Sequence, residues 1–144
     1  MEVKLKVGSD PLFAESLTKS NMASYYQARW IIWDHNLFLS SWDELDNYEI
    51  YLDRVRVGVL RLSCSSNKTF LRDFQILPEF QGRGIGAKCL ELVFRHALDR
   101  QSTKLVLRVF SENPAINLYE SKGFVRASDV NGLIEMEIPL SSNT

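Results

Sequence analysis

The segment Gln81-Gly82-Arg83-Gly84-Ile85-Gly86-Ala87, called the glycine loop below, has the composition of a ligand-binding main chain. It separates a predicted strand from a predicted helix. Three glycines within five residues disfavour the start of a helix unless a ligand must approach the backbone closely. The first N–H groups of a helix converge at the positive end of its dipole and bind anions there. The glycine loop therefore predicts an anion site.

Two known phosphate-binding patterns compete for this loop. A P-loop requires Gly-Lys-Ser/Thr after its last glycine, whereas Ala87-Lys88-Cys89 follows Gly86, so that pattern fails. A dinucleotide fingerprint of the form Gly-x-Gly-x-x-Ala is met by Gly82, Gly84 and Ala87. However, the acidic ribose partner expected about 20 residues later is missing. A small nucleotide-binding oxidoreductase stays open as an alternative interpretation.

Two blocks of sequence together resemble the signatures of one enzyme family. In the first block, Ile76 through Gly86, the residues Gln81, Gly84 and Gly86 fit the pattern Gln/Arg-x-x-Gly-x-Gly/Ala. The second block, Asn113-Pro114-Ala115-x-x-Leu118-Tyr119-x-x-x-Gly123-Phe124, follows after a predicted helix and strand. In order and spacing the two blocks resemble those of the GNAT superfamily of N-acetyltransferases. The segment before about Tyr48 is similar only in its helical character.

The resemblance implies that acetyl-CoA is the cosubstrate. Backbone amides of the glycine loop would bind its pyrophosphate, which agrees with the anion site expected from the residues alone. The strand before the loop would pair with the pantetheine arm, and the turn that follows Asn113 would hold the far end of that arm. The cofactor-binding residues implied are Phe74, Gln75, Ile76, Gln81, Gly82, Arg83, Gly84, Ile85, Gly86, Ala87, Asn113 and Asn117.

The catalytic residue implied by the resemblance is Tyr119. An amine that attacks the thioester expels a thiolate, whose pKa is about 8.5 if it behaves like a cysteine thiol. A tyrosine with a pKa of about 10 stays protonated at neutral pH and can donate a proton to that thiolate as a general acid. On helix spacing alone, Tyr119 is better explained as a core aromatic with a satisfied hydroxyl.

The general base is less clearly marked. An alkylamine with a pKa of about 10 must lose a proton before it attacks. The resemblance implies a Glu or His at the positions of Phe70 and Arg72, and neither of these side chains is an evident base. Asp73 is close, but strand alternation directs it to the opposite face, where an ion pair with Arg72 or Lys68, or a turn hydrogen bond, is the simpler explanation. The remaining alternatives are Glu49, Asp34 and ordered water.

Aromatic residues crowd into the stretch from Tyr25 to Tyr51, which contains all three tryptophans. The resemblance implies that the first two helices and their connection cover the acceptor site. An acceptor pocket with apolar walls would suit a cation. Helix-to-sheet core or a dimer contact explains the same aromatics. The candidate substrate residues are Tyr26, Trp30, Trp33 and Asp73.

Hydrophobic periodicity predicts the helices that must position these residues. A first helix is expected from Pro11 to about Leu17, capped by Asp10. A second is expected from about Met22 to His35, capped by Asn21. A third begins after Gly86, and a short fourth ends at Gly123. The apolar stripe of the third helix consists of Leu90, Val93, Phe94 and Ala97.

The strand pattern predicts the fold class. Antiparallel strands are expected between Tyr48 and Leu77, and a hairpin turning at Asn131-Gly132 closes the chain. The segment from Thr69 to Phe110 is predicted to be a right-handed strand–helix–strand crossover with parallel strands. We predict one α/β (α+β) domain over 1–144, with a mixed, mostly antiparallel sheet of about six to seven strands and about four helices. Acceptor-side helices would occupy about 10–36 and the acetyl-CoA-binding core about 69–124. The last four residues are expected to be a frayed tail.

Composition excludes several classes of partner. The chain has 144 residues, with 17 Lys+Arg against 18 Asp+Glu, so no global basic field would hold nucleic acid or an anionic membrane. Two cysteines and two histidines form neither a disulfide framework nor a metal pattern. No segment has the length of a membrane span, and no signal peptide is visible. We expect a cytoplasmic protein without a metal, and a homodimer is compatible with the sequence.

The activity that the resemblance implies is transfer of an acetyl group from acetyl-CoA to a primary amine of a small molecule or peptide, by direct attack in a ternary complex. The missing base favours one alternative, a CoA-binding sensor module without catalysis. The identity of the acceptor and the length of the acyl group do not follow from the sequence.

Overall fold

The computed structural model describes residues 1–141, so most of the predicted tail lies outside the described residues. The described part contains seven strands, four α-helices and the short 3-10 helix Pro78–Phe80. The strands are β1 (Val3–Val7), β2 (Asp46–Leu52), β3 (Val55–Ser65), β4 (Lys68–Ile76), β5 (Lys104–Phe110), β6 (Val125–Val130) and β7 (Leu133–Pro139). The helices are α1 (Pro11–Ala28), α2 (His35–Glu44), α3 (Ile85–Asp99) and α4 (Ala115–Ser121).

The seven strands form one sheet in the order β1-β2-β3-β4-β5-β7-β6. Pairing is antiparallel for β1 with β2, β2 with β3, β5 with β7, and β6 with β7, whereas β4 and β5 are parallel. A parallel pair needs a long crossover, which α3 provides. The predicted fold class, a mixed and mostly antiparallel sheet with four helices and one parallel crossover, is confirmed. The chain divides into two compact units.

The first unit consists of Met1–Leu62 and Asp73–Cys89. Its buried cluster is formed by Ala14 and Leu17 of α1, Phe38 of α2 and Val59 of β3. Burial of apolar side chains at three-residue spacing fixes one face of α1 on the core. Two of the three tryptophans pack against this cluster, so helix-to-sheet packing accounts for part of the aromatic stretch. The partly buried side chains around the cluster are Phe13, Trp33, Trp42 and Leu77.

The second unit consists of Ser63–Arg72 and the described part of Leu90–Thr144. Of the stripe predicted for α3, Leu90, Val93 and Ala97 have no exposed surface, and Phe94 is half-buried. The final hairpin also turns where it was predicted, because Asn131 and Gly132 have φ values of +54° and +83°. Two residues with positive φ match the tight turn that follows the twist of paired strands.

The prediction of two helices before residue 36 was wrong. One helix, α1, runs without interruption to Ala28, and α2 begins at His35. The end of α1 has the bonds of a Schellman motif, in which the N–H of Ile31 donates to Tyr26 and that of Trp30 to Gln27. Trp30 has a φ of +55°, at the position where glycine is usual. Without a glycine there, the sequence carried no ordinary stop signal.

Gly58 of β3 is a position where strand packing leaves no room for a side chain. A Cβ atom there would overlap the carbonyl oxygen of Gln75 on β4. Because both groups belong to backbone, the strands themselves would have to shift. We expect Gly58→Ala to lower the free energy of unfolding by about 1–3 kcal/mol, measured by urea denaturation.

The matched control for this substitution is Gly8→Ala. The nearest atom to a Cβ at Gly8 would lie 3.2 Å away, so a shift of a few tenths of an ångström accommodates it. Gly8→Ala should therefore cost less than Gly58→Ala. Equal denaturation midpoints for the two variants would contradict the close approach of β3 and β4.

Candidate active site

The glycine loop leads into a helix, as predicted, but it follows the 3-10 helix rather than a strand, and its last three residues already form the first turn of α3. Gly82 and Gly84 have φ values of +74° and +80°, in the left-handed region that side chains disfavour. A Cβ atom at either position would meet no atom of the described residues within 4 Å. The backbone conformation therefore requires these glycines, and open space lies in front of the main chain at both.

The start of α3 supplies positive potential behind the loop. Ile85 is buried and anchors the first turn, whereas Gly86 and Ala87 are half-buried. The first N–H groups of a helix have no acceptor within it, and the helix dipole adds partial positive charge at this end. The Arg83 guanidinium lies 5.2 Å from the centre of the Phe80 ring, which places a full charge beside the loop. This arrangement can bind a pyrophosphate.

The end of β4 directs its backbone groups alternately to the two edges of the strand. The N–H of Leu77 donates to a carbonyl of β3 at 2.8 Å, and the carbonyl of Gln75 also faces β3. Because residues of a strand alternate, Phe74 and Ile76 direct their backbone groups to the opposite edge. A pantetheine arm added at that edge would contact Phe74 and Ile76, whereas the Gln75 carbonyl is turned away from it.

The Ile76 carbonyl already has two donors. The side-chain amides of Asn21 and Gln81 donate to it at 3.0 and 2.9 Å. Asn21 also donates to Oε1 of Gln75 at 3.2 Å. A carbonyl has two lone pairs, so the N–H is the group of Ile76 that can bind a ligand. The side chains of Gln75 and Gln81 thus support the local backbone. Asn21, expected to cap a helix, instead ties α1 to β4.

A cleft opens where the parallel pairing ends. The register of β4 and β5 runs from Lys68 opposite Lys104 to Leu71 opposite Leu107, although both strands continue beyond the last pair. The cleft has a volume of about 220 Å³. Its lining residues are Phe70, Leu71, Arg72, Val106, Leu107 and Arg108.

The second motif block forms the short helix α4. The side chain of Asn113 accepts a hydrogen bond from the N–H of Ala115 at 2.9 Å, which closes an Asx turn directly before the helix. Asn117 is exposed on α4. The helix stops at Gly123, whose φ is +102°, as its sequence predicted. Asn113 therefore has a structural role of its own beside any contact with a cofactor.

Tyr119 lies on the buried side of α4 and is 7% exposed. Its ring meets that of Phe124 edge-on, with 5.8 Å between the ring centres. The N–H of Phe124 donates to the Tyr119 carbonyl at 3.1 Å. Packing of this kind fixes the ring in one orientation, which both a core aromatic and a positioned acid require.

The structure brings together only some of the aromatic substrate candidates. The rings of Tyr26 and Trp33 stack with 5.8 Å between their centres. The Trp33 indole N–H donates to Glu15 at 2.8 Å. This hydrogen bond, together with the contact of His35, lowers the pKa of the Glu15 carboxyl below its usual value, although burial acts to raise that pKa. Trp30 instead is 94% exposed in the turn after α1. Tyr26 and Trp33 therefore form a pair that Trp30 does not join.

Asp73 is paired with a buried arginine that the sequence analysis did not identify. Arg61 of β3 is 2% exposed and donates to Oδ2 of Asp73 at 2.9 Å. Burial raises the pKa of the Tyr26 hydroxyl, and the charge of Asp73 raises it further. The expected partners of Asp73, Arg72 and Lys68, are thus replaced by Arg61. One signal in the sequence could have identified Arg61. Strand alternation places it on the same face as Val59, which is apolar, and an arginine on such a face needs a partner.

The other residues considered as a base also have structural partners. The side chain of Asp34 caps α2 by accepting from the N–H of Leu37 at 3.0 Å. Glu49 is buried and accepts from Arg56 at 3.3 Å and from the Tyr51 hydroxyl at 3.4 Å. The carboxylates of Asp34 and Glu49 are therefore both engaged in structural hydrogen bonds.

Other reactive groups add no further chemistry to the site. Burial raises the pKa of the Cys89 thiol to about 12, so it stays protonated at neutral pH. Within residues 1–141, no group of three or more His, Cys, Asp and Glu side chains could hold a metal ion. In the same part of the chain, no helix is both long and apolar enough to cross a membrane.

A family model and a curated relative both identify this chain as similar to acetyltransferases. Residues 46–126, more than half of the chain, match the family model described as the acetyltransferase (GNAT) domain. A thialysine N-epsilon-acetyltransferase from Bos taurus is 34% identical over 64 residues, which cover 44% of this chain and 38% of that protein. The match thus spans well under half of the bovine relative.

Solved structures show the same fold. The ribosomal-protein-S18-alanine N-acetyltransferase of Escherichia coli has a TM-score of 0.79 at 21% identity, covering 99% of this chain and 97% of that one. PaiA N-acetyltransferase of Thermoplasma acidophilum, solved in complex with coenzyme A, has a TM-score of 0.75 at 16% identity, covering 96% and 99%. The predicted resemblance is confirmed, and both motif blocks lie within the matched residues 46–126.

Proposed function

The chain belongs to the GNAT acetyltransferase family, and on that premise we propose that it transfers an acetyl group from acetyl-CoA to a primary amine by direct attack in a ternary complex. One observation carries the proposal. Gly82 and Gly84 adopt left-handed conformations that leave open space directly before the first turn of α3. A pyrophosphate fits that space and the positive potential behind it.

Different residues around the glycine loop would bind different parts of acetyl-CoA. Backbone N–H groups from Gly82 through Ala87 would bind the pyrophosphate, with the Arg83 charge beside them, whereas the N–H of Gln81 already donates to the Pro78 carbonyl at 3.2 Å. The N–H of Ile76 and the backbone of Phe74 would pair with the pantetheine arm like an added strand. Asn113 and Asn117, at the start of α4, would contact its far end.

Tyr119 would supply the proton that the leaving thiolate needs. Its burial and its packing on Phe124 hold the ring in place, so little reorganisation is needed at the moment of reaction. A general acid of this kind acts only if its oxygen reaches the sulfur when acetyl-CoA is bound. For the amine, ordered water is the base that conflicts least with the structure, because Asp73, Glu49 and Asp34 all have structural partners.

An amine acceptor is supported by the relatives' names and by the substrate-side residues. The bovine relative is named for the Nε position of thialysine, and the Escherichia coli protein for alanine of ribosomal protein S18. The stacked rings of Tyr26 and Trp33 offer aromatic faces suited to an ammonium group, whereas the Asp73 carboxylate that acts on Tyr26 is already paired with Arg61. Trp30, which is 94% exposed in its turn, does not contribute to this pair of rings.

Calorimetric titration with acetyl-CoA tests the cofactor site. We expect saturable one-site binding, with NADH producing no signal. Gly84→Val places a branched side chain in the open space and removes the left-handed backbone, so one or two charged hydrogen bonds to phosphate are lost. The affinity should fall about 10- to 100-fold.

The matched control for Gly84→Val is Gly132→Val. Gly132 has a similar φ of +83° but lies in the final hairpin turn. The Gly132→Val variant should bind acetyl-CoA with the affinity of the unchanged protein. Thermal unfolding shows beforehand that both variants are folded. A folded protein that binds neither acetyl-CoA nor CoA would refute the proposed function, and binding of NADH alone would favour the oxidoreductase alternative.

A CoA-binding sensor without catalysis is the second candidate. The observation that favours it is that the carboxylates considered as a base, Asp73, Glu49 and Asp34, all have structural partners. Binding of acetyl-CoA without acetylation of any amine would support it. A cytoplasmic location and a homodimer stay predictions.

A further inference from the structure

We infer that the acceptor carries a carboxylate as well as its amine, and that Arg72 and Arg108 bind this carboxylate in the cleft between β4 and β5. The inference rests on the proposed function and names the class of substrate. It begins from the register of the two strands. Leu71 and Leu107 form the last pair of the parallel ladder, so Arg72 and Arg108 occupy corresponding positions one residue beyond it.

Both arginines line the same cleft. Strand alternation places Arg72 on the face of Phe70 and Arg108 on the face of Val106. The two apolar side chains are half-buried and buried, whereas both arginines are exposed. The cleft therefore has an apolar floor with two guanidinium groups at its rim. This combination suits a small molecule that has a short apolar body and one anionic end.

The positive charges of Arg72 and Arg108 are only partly neutralised by acidic side chains of the protein. Arg108 lies beside Glu135 of β7, with 3.5 Å between Nε and Oε1, and its side chain is 69% exposed. In the described part of the chain, Arg72 has no hydrogen-bond or ion-pair partner. Like charges at neighbouring positions of adjacent strands repel each other, and an anion between them removes that repulsion. Two arginines and one glutamate leave the site with one net positive charge.

The balance of charge and the shape of the donors favour a carboxylate over a phosphate. A guanidinium presents two parallel N–H groups that match the two oxygens of a carboxylate. One net positive charge neutralises a carboxylate but leaves a doubly charged phosphate uncompensated. The volume of about 220 Å³ also fits a ligand of the size of an amino acid. Arginine does not lose its proton in proteins, so Arg72 binds and does not act as the base.

Matched acceptors test this inference with the full chain and acetyl-CoA. The panel consists of the common L-amino acids, 4-aminobutyrate and β-alanine, with carboxylate-free counterparts such as cadaverine for lysine and ethylamine for alanine. Phosphoethanolamine beside ethanolamine tests the phosphate alternative. Release of CoA is followed as a function of acceptor concentration. We expect kcat/KM to be about 10- to 100-fold higher for the best carboxylate-bearing amine than for its carboxylate-free counterpart.

Substitutions at Arg72 connect that preference to the cleft. Arg72→Gln should raise KM for the carboxylate-bearing acceptor about 10-fold or more and leave the carboxylate-free amine within about threefold. Arg72→Glu should reverse the preference. Arg54→Gln, at an exposed arginine of the turn between β2 and β3, is the matched control and should change neither.

The possible results distinguish failure of the carboxylate site from failure of the proposed acetyl transfer. Equal kcat/KM for members of a pair, or a preference that Arg72→Gln does not reduce, refutes the carboxylate site while acetyl transfer itself stands. A preference for phosphoethanolamine over all amino acids assigns the cleft to phosphate and also refutes it. Binding of acetyl-CoA without turnover of any carboxylate-bearing amine refutes it too, whereas failure to bind acetyl-CoA refutes the proposed function first.

Discussion

Replacing Tyr119 with phenylalanine is expected to lower kcat about 100- to 1,000-fold, because general acid catalysis by one positioned side chain contributes about that factor. Tyr119→Phe removes one hydroxyl and keeps the ring that packs on Phe124. The thiolate would then leave without a proton donor, and KM for acetyl-CoA should change little. Steady-state kinetics with the best amine of the acceptor panel measure both parameters.

Two further measurements separate loss of the acid from loss of structure. Calorimetry of Tyr119→Phe with acetyl-CoA should give the affinity of the unchanged protein, and its thermal midpoint should stay close to that of the unchanged protein. Phe124→Leu is the packing control, since it removes the ring contact and leaves the hydroxyl in place. Full activity of a folded Tyr119→Phe would show that Tyr119 is a core aromatic only, and would leave proton donation to water.

Replacing Arg61 with alanine is expected to lower the free energy of unfolding by about 3–5 kcal/mol, the range found when one partner of a buried ion pair is removed. Its guanidinium donates to Asn47 at 2.9 Å, to Asp73 at 2.9 Å and to Ser41 at 2.7 Å. It also lies 4.5 Å from the centre of the Phe38 ring. Arg61 thus joins α2, β2 and β4 at once, and its loss leaves three buried or half-buried groups without their donor.

Arg56→Ala is the matched control for Arg61→Ala. Arg56 also contacts two carboxylates, those of Asp10 and Glu49, but its side chain is 33% exposed. Because Asp10 is exposed whereas Glu49 is buried, the cost of that substitution should lie between about 1 kcal/mol, the upper limit for exposed pairs, and the loss expected for Arg61→Ala. Urea denaturation of both variants compares them directly. Equal losses would mean that burial does not set the strength of the Arg61 contacts.

A double-mutant cycle with Asp73→Asn measures how much of the Arg61 effect passes through the ion pair. We expect a coupling free energy of about 1–3 kcal/mol between the two positions. Asp73 also acts on Tyr26, so the cycle links the stability of the first unit to a residue that we propose contacts the acceptor. If Asp73→Asn and Arg61→Ala were additive, the Asn47 and Ser41 contacts would carry the effect instead.

Features that depend on local backbone chemistry were predictable from the sequence. The glycine loop, the stop of α4 at Gly123 and the hairpin at Asn131-Gly132 all have positive φ values at residues that tolerate them. The stripe on α3 follows from helical periodicity, since its residues are buried at the predicted spacing. In each case the residues that determine the structure are neighbours in the chain.

Features that depend on distant partners were not predictable. Asn21 suited a helix cap by its type, but it donates to the Ile76 carbonyl 55 residues away. Asp73 was expected to pair with a neighbour in the chain and pairs instead with Arg61 on the adjacent strand. Trp30 occupies a helix-terminal position where glycine is usual, so the helix boundary was misplaced.

The sequence by itself determined the fold class, the family and the loop that would hold the pyrophosphate, because these depend on short-range patterns of glycine, apolar spacing and turn residues. The tertiary structure decided which polar side chains meet. It pairs Arg61 with Asp73, and it places Arg72 and Arg108 on one cleft where the parallel ladder ends. Those choices depend on strand register and burial, which no single stretch of the chain encodes.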